Sequence, residues 1–98
     1  MAPVARIGDS IATGHGCDAT TTLTGPSGNV FVNNLGVERQ GDPTVVHKLT
    51  GKGCSVTHTA VINVGSNKVF VNNKAIARIG DSADAGSITS GSPNVFSG

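Results

Sequence analysis

Gly25-Pro26-Ser27-Gly28-Asn29-Val30-Phe31-Val32-Asn33-Asn34 is answered by Gly65-Ser66-Asn67-Lys68-Val69-Phe70-Val71-Asn72-Asn73 and, in shortened form, by Gly91-Ser92-Pro93-Asn94-Val95-Phe96. A second motif recurs with it: Arg6-Ile7-Gly8-Asp9, Arg39-Gln40-Gly41-Asp42 and Arg78-Ile79-Gly80-Asp81. Internal self-similarity of this kind marks a repeat architecture, in which each unit is too small to bury its apolar face alone. All three Phe of the chain fall at one place in the unit.

In the Val-Phe-Val run side chains alternate between two faces, so Phe31 and Phe70 point away from their flanking valines and the strand is buried on at least one side. Asn33-Asn34 and Asn72-Asn73 tolerate positive φ and predict tight turns into second strands at Val37-Glu38-Arg39 and Ala75-Ile76-Ala77-Arg78-Ile79. The Gly-Asp pair then supplies a further turn, with the Asp accepting backbone N–H bonds and Pro43 presetting φ after Asp42. The expected fold is all-β, a single domain over residues 1–98 built from three hairpin repeats.

Composition agrees. The 98 residues include 14 Gly but no Trp or Tyr, which favours turns and short strands over helices and leaves few large side chains for a core. The net charge is +1 and the seven Lys and Arg are dispersed, so neither nucleic acid nor an anionic membrane is an expected partner. No apolar run approaches the ~20 residues of a membrane span. Met1-Ala2-Pro3-Val4-Ala5-Arg6 lacks the hydrophobic stretch of a signal peptide, so synthesis and folding in a reducing cytoplasm are expected. Free thiols or metal ligands are then favoured over a bridge for Cys17 and Cys54.

The loops after the three Gly-Asp pairs are unequal. Those from Asp9 to Gly25 and from Asp42 to Gly65 hold every His and Cys of the chain: His15 and Cys17 in the first, His47, Cys54 and His58 in the second. The third, short loop contains Ser82-Ala83-Asp84-Ala85-Gly86-Ser87 and offers only Asp84 as a conceivable ligand.

Taken together, these residues resemble the PAAR-repeat proteins, named for a Pro-Ala-Ala-Arg motif that stands here as Pro3-Val4-Ala5-Arg6 and Ala75-Ile76-Ala77-Arg78. The following Gly-Asp, the Gly-Ser-Pro-Asn-Val at Gly91 and the doubled hairpin look like that family too, and the likeness runs along the whole chain. It implies a small conical fold of three pseudo-threefold repeats. The blunt face would dock on a homotrimeric β-helical spike, of the VgrG type in type VI secretion or its counterpart in a contractile phage tail. It also implies one structural zinc near the vertex, held in the family by three His and one Cys.

The loops themselves agree with such a donor set, since imidazole and thiolate suit a tetrahedral Zn²⁺. His47-x6-Cys54-x3-His58 provides three ligands from one loop and His15 the fourth from its neighbour. Cys17 competes for the sulfur position; Cys54 is preferred because it lies between two His. A Cys17–Cys54 disulfide, or ordinary surface His beside small buried Cys, are the alternatives. Structural zinc is worth on the order of 10–16 kcal/mol of apparent binding, so a metal at the vertex substitutes for a core that long loops cannot build there.

Four protein ligands leave no open position, so no enzymatic activity and no small-molecule substrate are expected. The recurring Asp9, Asp42 and Asp81 read as turn residues held apart by threefold spacing, not as an acid/base pair. Arg6, Arg39 and Arg78 pair with nearby Asp, reach carbonyls at the docking face, or are solvated. A chain seated on a homotrimer needs three similar patches, which the repeats provide. The expected role is a spike tip that caps the β-helix and sharpens it for piercing, with the point contacting the target membrane. The competing classes are a secreted, disulfide-stapled β binding module without metal, and a zinc hydrolase with an open coordination position.

Overall fold

A computed structural model describes residues 1–50 and 54–98, and these form twelve short strands with no helix among them. In chain order they are β1 (Ala2–Pro3), β2 (Ser10–Ala12), β3 (Thr20–Thr22), β4 (Phe31–Val32), β5 (Leu35–Gly36), β6 (His47–Thr50), β7 (Val56–His58), β8 (Phe70–Val71), β9 (Lys74–Ala75), β10 (Ser82–Ala83), β11 (Gly86–Ile88) and β12 (Phe96–Ser97).

Two hairpins form where the asparagine pairs predict them. β4 pairs with β5 and β8 with β9, and the turn residues Asn33, Asn34, Asn72 and Asn73 all have φ between 53° and 65°. Such two-residue turns with both φ positive match the twist of the flanking strands. Pairing therefore resumes immediately, at Leu35 and Lys74. The second strands consequently lie two residues earlier than Val37-Glu38-Arg39 in the first unit and begin one residue before Ala75 in the second.

The residues expected to extend those strands pair instead between repeats. Arg6 bridges Val37, Arg39 bridges Ile76 and Arg78 bridges Val4, a closed cycle. At its centre Glu38 N–H donates to Ala5 C=O at 3.0 Å, Ala77 N–H to Glu38 C=O at 3.0 Å and Ala5 N–H to Ala77 C=O at 2.9 Å. Three equivalent segments thus satisfy one another's backbone groups around a pseudo-threefold axis.

The third hairpin has no turn of its own. β12 pairs antiparallel with β1, Phe96 opposite Pro3 and Ser97 opposite Ala2, as Phe31 stands opposite Gly36 and Phe70 opposite Ala75. The two ends of the chain together complete the third unit. Each unit is also pinned by a buried Ser: Ser27, Ser66 and Ser92 accept from backbone N–H groups two and three residues on. Their hydroxyls donate across to Asn72, to Gly98 C=O and to Asn33 respectively.

Strand alternation divides the core at the axial ring. Val4, Val37 and Ile76 pack with Val71, Val30 and Val32 on the hairpin side. Ala5 and Ala77 pack with Ile11, Leu23, Ile62, Ala83 and Ile88 on the loop side. Glu38, the equivalent of the two alanines, is fully buried, and neither carboxylate oxygen has a hydrogen-bond partner among the described residues. The extents are 41 × 23 × 21 Å, one long dimension and two nearly equal short ones, as a conical all-β fold around a threefold ring requires.

Candidate metal centre

The Gly-Asp turns behave alike in all three units. Asp9, Asp42 and Asp81 accept from the backbone N–H of Arg6, Arg39 and Arg78 at 2.7, 2.8 and 2.9 Å, and each also binds its Arg guanidinium. These carboxylates are structural turn residues. From each turn the chain leaves on an excursion to the loop side and returns at Leu23, Ile62 or Ile88, whose N–H groups donate back to the same three Asp carbonyls.

The excursions are themselves hairpin-like: β2 with β3, β6 with β7, and β10 with β11. In the second, His47 and His58 are direct cross-strand partners, which places both imidazoles on one face. In the third, Asp84 occupies the turn at φ 56°, a conformation Asp tolerates better than most residues. That turn is held by both neighbouring loops, with Asp84 N–H donating to Val61 C=O and Ala85 N–H to Thr13 C=O, each at 3.1 Å. A Cβ on Gly86 would lie 1.9 Å from Ala12 O, and one on Gly14 2.7 Å from Ala85 O. Only glycine at these two places lets β11 and the first loop approach closely enough to bring Asp84 beside His15.

The result is a compact cluster. His15 Nε2 lies 2.8 Å and His47 Nε2 2.7 Å from Asp84 Oδ2, while His58 Nε2 lies 3.2 Å from Oδ1. One donor atom from each of the four residues falls within 4.8 Å of all the others. The imidazole centroids are 5.0–5.4 Å apart. The side chains of His47 and Asp84 are 2% and 6% exposed, and that of His58 is the most open at 29%. Burial pushes the Asp84 carboxyl up, but hydrogen bonds from His58, His47 and His15 outweigh it and hold the group below the usual carboxylate range.

Three imidazole nitrogens aimed at one carboxylate require either an Nε2–H on each ring or a cation among them. His47 has its other ring nitrogen engaged. Its Nδ1–H donates to Val45 C=O at 2.9 Å, the usual outer contact that fixes a metal-bound His. With Nδ1 so engaged, Nε2 is the nitrogen that His47 turns toward the cluster and the one placed to ligate a cation. Tetrahedral zinc with bonds of about 2.0–2.2 Å sets its ligand atoms ~3.3 Å apart, within the span these four residues already occupy. The residues therefore fit a metal.

The structure brings together His15, His47 and His58 but not Cys54. Cys54 is bonded to Cys17, with Cα atoms 5.8 Å apart and no free cysteine left in the chain. The expectation of free thiols is corrected with it. The reason is positional: the ladder from His47↔His58 runs away from the cluster, and Cys54 lies past its other end, where the first loop meets it. There Lys48 N–H donates to Asp18 Oδ2 at 2.7 Å and Asp18 N–H to Lys48 C=O, setting Cys17 beside Cys54. Asp84 takes the fourth place. It was visible in the sequence as the only donor of the short loop, and the equivalence of the three loops was the signal for it. The disulfide and the histidine cluster, set against each other as alternatives by the sequence, occur together.

Fold and site together define an all-β, threefold-repeat protein whose loops converge on a potential metal centre. A family model for the PAAR motif matches residues 13–88, more than half of the chain, and the chain belongs to that family. PAAR-motif proteins are structural components at the spike tip of contractile injection systems, where they associate with a spike. Comparison with curated proteins gives no match.

Proposed function

We propose that this protein caps the open end of a homotrimeric β-helical spike, one tip per trimer, and forms the leading point of the assembly with a single structural Zn²⁺ held by His15, His47, His58 and Asp84. The observation that carries the docking half is the hairpin side of the ring. Phe31, Phe70 and Phe96, the only large aromatic side chains, are 59%, 60% and 46% exposed at equivalent positions of the three hairpins. Val69, Val95 and Leu35 extend the apolar surface. A monomer matches a threefold partner through three like patches, and covering the last turn of a β-helix removes its unpaired strand edges.

The loop side supports the other half. It lies across the axial ring from the phenylalanines, and its own apolar core ends at Ala83, next to Asp84. Four protein donors fill a tetrahedral shell, which fits a structural metal and no hydrolytic role. On this reading the metal-held end meets the target envelope. The test is to mix the protein with a purified VgrG-type spike and measure mass by light scattering. One chain per trimer is expected, and Phe31→Asp with Phe70→Asp should abolish the complex. A stoichiometry of three, or a complex indifferent to both substitutions, refutes the proposal. The Cys17–Cys54 bridge favours a second reading, a secreted disulfide-stapled β binding module; wild-type protein that folds with the bridge intact but takes up no metal would select it.

A further inference from the structure

The same centre has a donor set that determines which metals it takes. We propose that the site is thiolate-free, three imidazoles and one carboxylate, and so selects borderline divalent ions such as Zn²⁺, Co²⁺ and Fe²⁺ over thiophilic ions such as Cd²⁺ and Cu⁺, whatever the redox state of the cysteines. This rests on the reading of His15, His47, His58 and Asp84 as a metal centre.

Two observations carry it. The first is that the fourth donor is oxygen. Asp84 Oδ2 stands 2.7–2.8 Å from two of the ring nitrogens and Oδ1 3.2 Å from the third, so the carboxylate is the fourth donor facing the three rings. Its turn is held by backbone hydrogen bonds that Asp84 and Ala85 N–H donate to Val61 and Thr13 C=O, and by Asn63, whose amide donates to Asp84 C=O at 3.0 Å. The carboxylate is delivered by the fold and not by a mobile side chain reaching in. The second observation is that both sulfurs of the chain are committed to each other. Soft thiolate ligands select Cu⁺ and other thiophilic ions, whereas imidazole suits Zn, Fe and Ni, and carboxylate favours harder ions.

The cysteines then act as a second, independent cross-link of loops one and two. Reduction by a dithiol, which adds two electrons and two protons and gives two thiols, would leave the four donors of the metal centre unchanged. Asp84 would still hold the fourth position, and the backbone contacts that place it involve neither cysteine.

The test uses the full oxidised chain loaded with Co²⁺, read by absorption, and with Zn²⁺ and Cd²⁺ in competition, read by elemental analysis. Expected are visible bands of four-coordinate Co²⁺ without a thiolate-to-metal charge-transfer band, and retention of Zn²⁺ against equimolar Cd²⁺. Both results should persist after treatment with a dithiol. Asp84→Cys should gain the charge-transfer band and reverse the preference. Asp84→Asn should weaken Zn²⁺ by at least about 100-fold, no less than outer-shell residues commonly command. A charge-transfer band in the wild type, before or after reduction, overturns the inference while leaving a metal site. Unweakened zinc in a folded Asp84→Asn variant also overturns it. A wild type that binds no ion refutes the metal centre itself.

Discussion

Replacing Glu38 should change the pH dependence of stability more than any other single substitution away from the tip. The residue is 0% exposed, both carboxylate oxygens lack partners among the described residues, and its two counterparts around the axis are alanines. Burial first, then the nearby charge of Asp42, raise it from 4.5 to about 9; Arg39 opposes this and Asp9 adds to it. Between those two values the folded chain holds a proton that the unfolded chain has released. Stability therefore falls as pH rises through this window, by about 1.4 kcal/mol per unit, and the loss is complete only above the folded value. At pH 7 the cost of keeping Glu38 neutral is about 3 kcal/mol, a large part of what a small domain nets. Glu38→Gln keeps the shape and cannot ionise, and Glu38→Met removes the orphaned oxygens as well. The assay is guanidinium unfolding of metal-free protein followed by far-UV circular dichroism, since the chain has no Trp or Tyr. Comparing each variant with wild type at pH 5, 7 and 9 cancels the histidine contributions common to both. Wild type should lose about 5 kcal/mol relative to Glu38→Gln from pH 5 to 9, and Glu38→Met should be the more stable protein at pH 9. Parallel curves for wild type and Glu38→Gln would show that the carboxylate finds water or a cation in the folded state and that the reasoning is wrong.

Glycine substitutions should separate by position: Gly86→Ala drives a Cβ into the Ala12 carbonyl and should cost more than about 3 kcal/mol, beyond ordinary overpacking. Gly28→Ala, where a Cβ meets nothing within 4 Å among the described residues, is expected to stay within about 1 kcal/mol of wild type by the same unfolding measurement. Cys17→Ser opens a loop closed over a separation of 37 residues and should destabilise the oxidised protein by about 4 kcal/mol on the chain-entropy scale. Equal midpoints for oxidised wild type and Cys17→Ser would contradict that.

The hairpins were legible because their turn chemistry is local: Asn33-Asn34 and Asn72-Asn73 fix both the turn and the strand before it. The third hairpin was not, because its strands lie at opposite ends of the chain and no local signal links Ala2 to Ser97. Aligning Pro3-Val4-Ala5-Arg6 with Ala75-Ile76-Ala77-Arg78 holds the clue, since Ala75 is the partner of a Phe in a hairpin and Pro3 takes the same place. The same alignment sets Glu38 against Ala5 and Ala77, an oddity that sequence shows but whose burial only the ring explains. At the tip the three histidines could be read from their confinement to two loops. The fourth donor could not be read from spacing alone, because Cys54 is near His58 in sequence and separated from it by a strand, whereas Asp84 is 26 residues away and 3.2 Å distant.

Why the tip carries a disulfide beside a cluster of metal-type donors follows from what each one joins. The disulfide ties the first loop to the second and leaves the third untouched. The histidine and Asp84 cluster joins all three. Beyond the buried Ile11, Leu23, Ile62 and Ile88, these excursions are mostly Thr, Gly, Ser and Asp, with Val45, Val46 and Val56 exposed, so burial contributes little against an ordering cost of roughly 1–2 kcal/mol per residue. Metal removal and disulfide loss should thus loosen different parts. Amide hydrogen exchange on protein stripped with a chelator, its disulfide intact, should show accelerated exchange at Asp84 and Ala85 as well as in the first two loops. Cys17→Ser with zinc bound should accelerate Asp18 and Lys48, whose N–H groups donate to Lys48 C=O and to Asp18 Oδ2 beside the bridge, and leave Asp84 and Ala85 protected. Equal acceleration of Asp84 and Ala85 in both proteins would mean that the third loop is held through the disulfide and that the cluster is not what closes the cone.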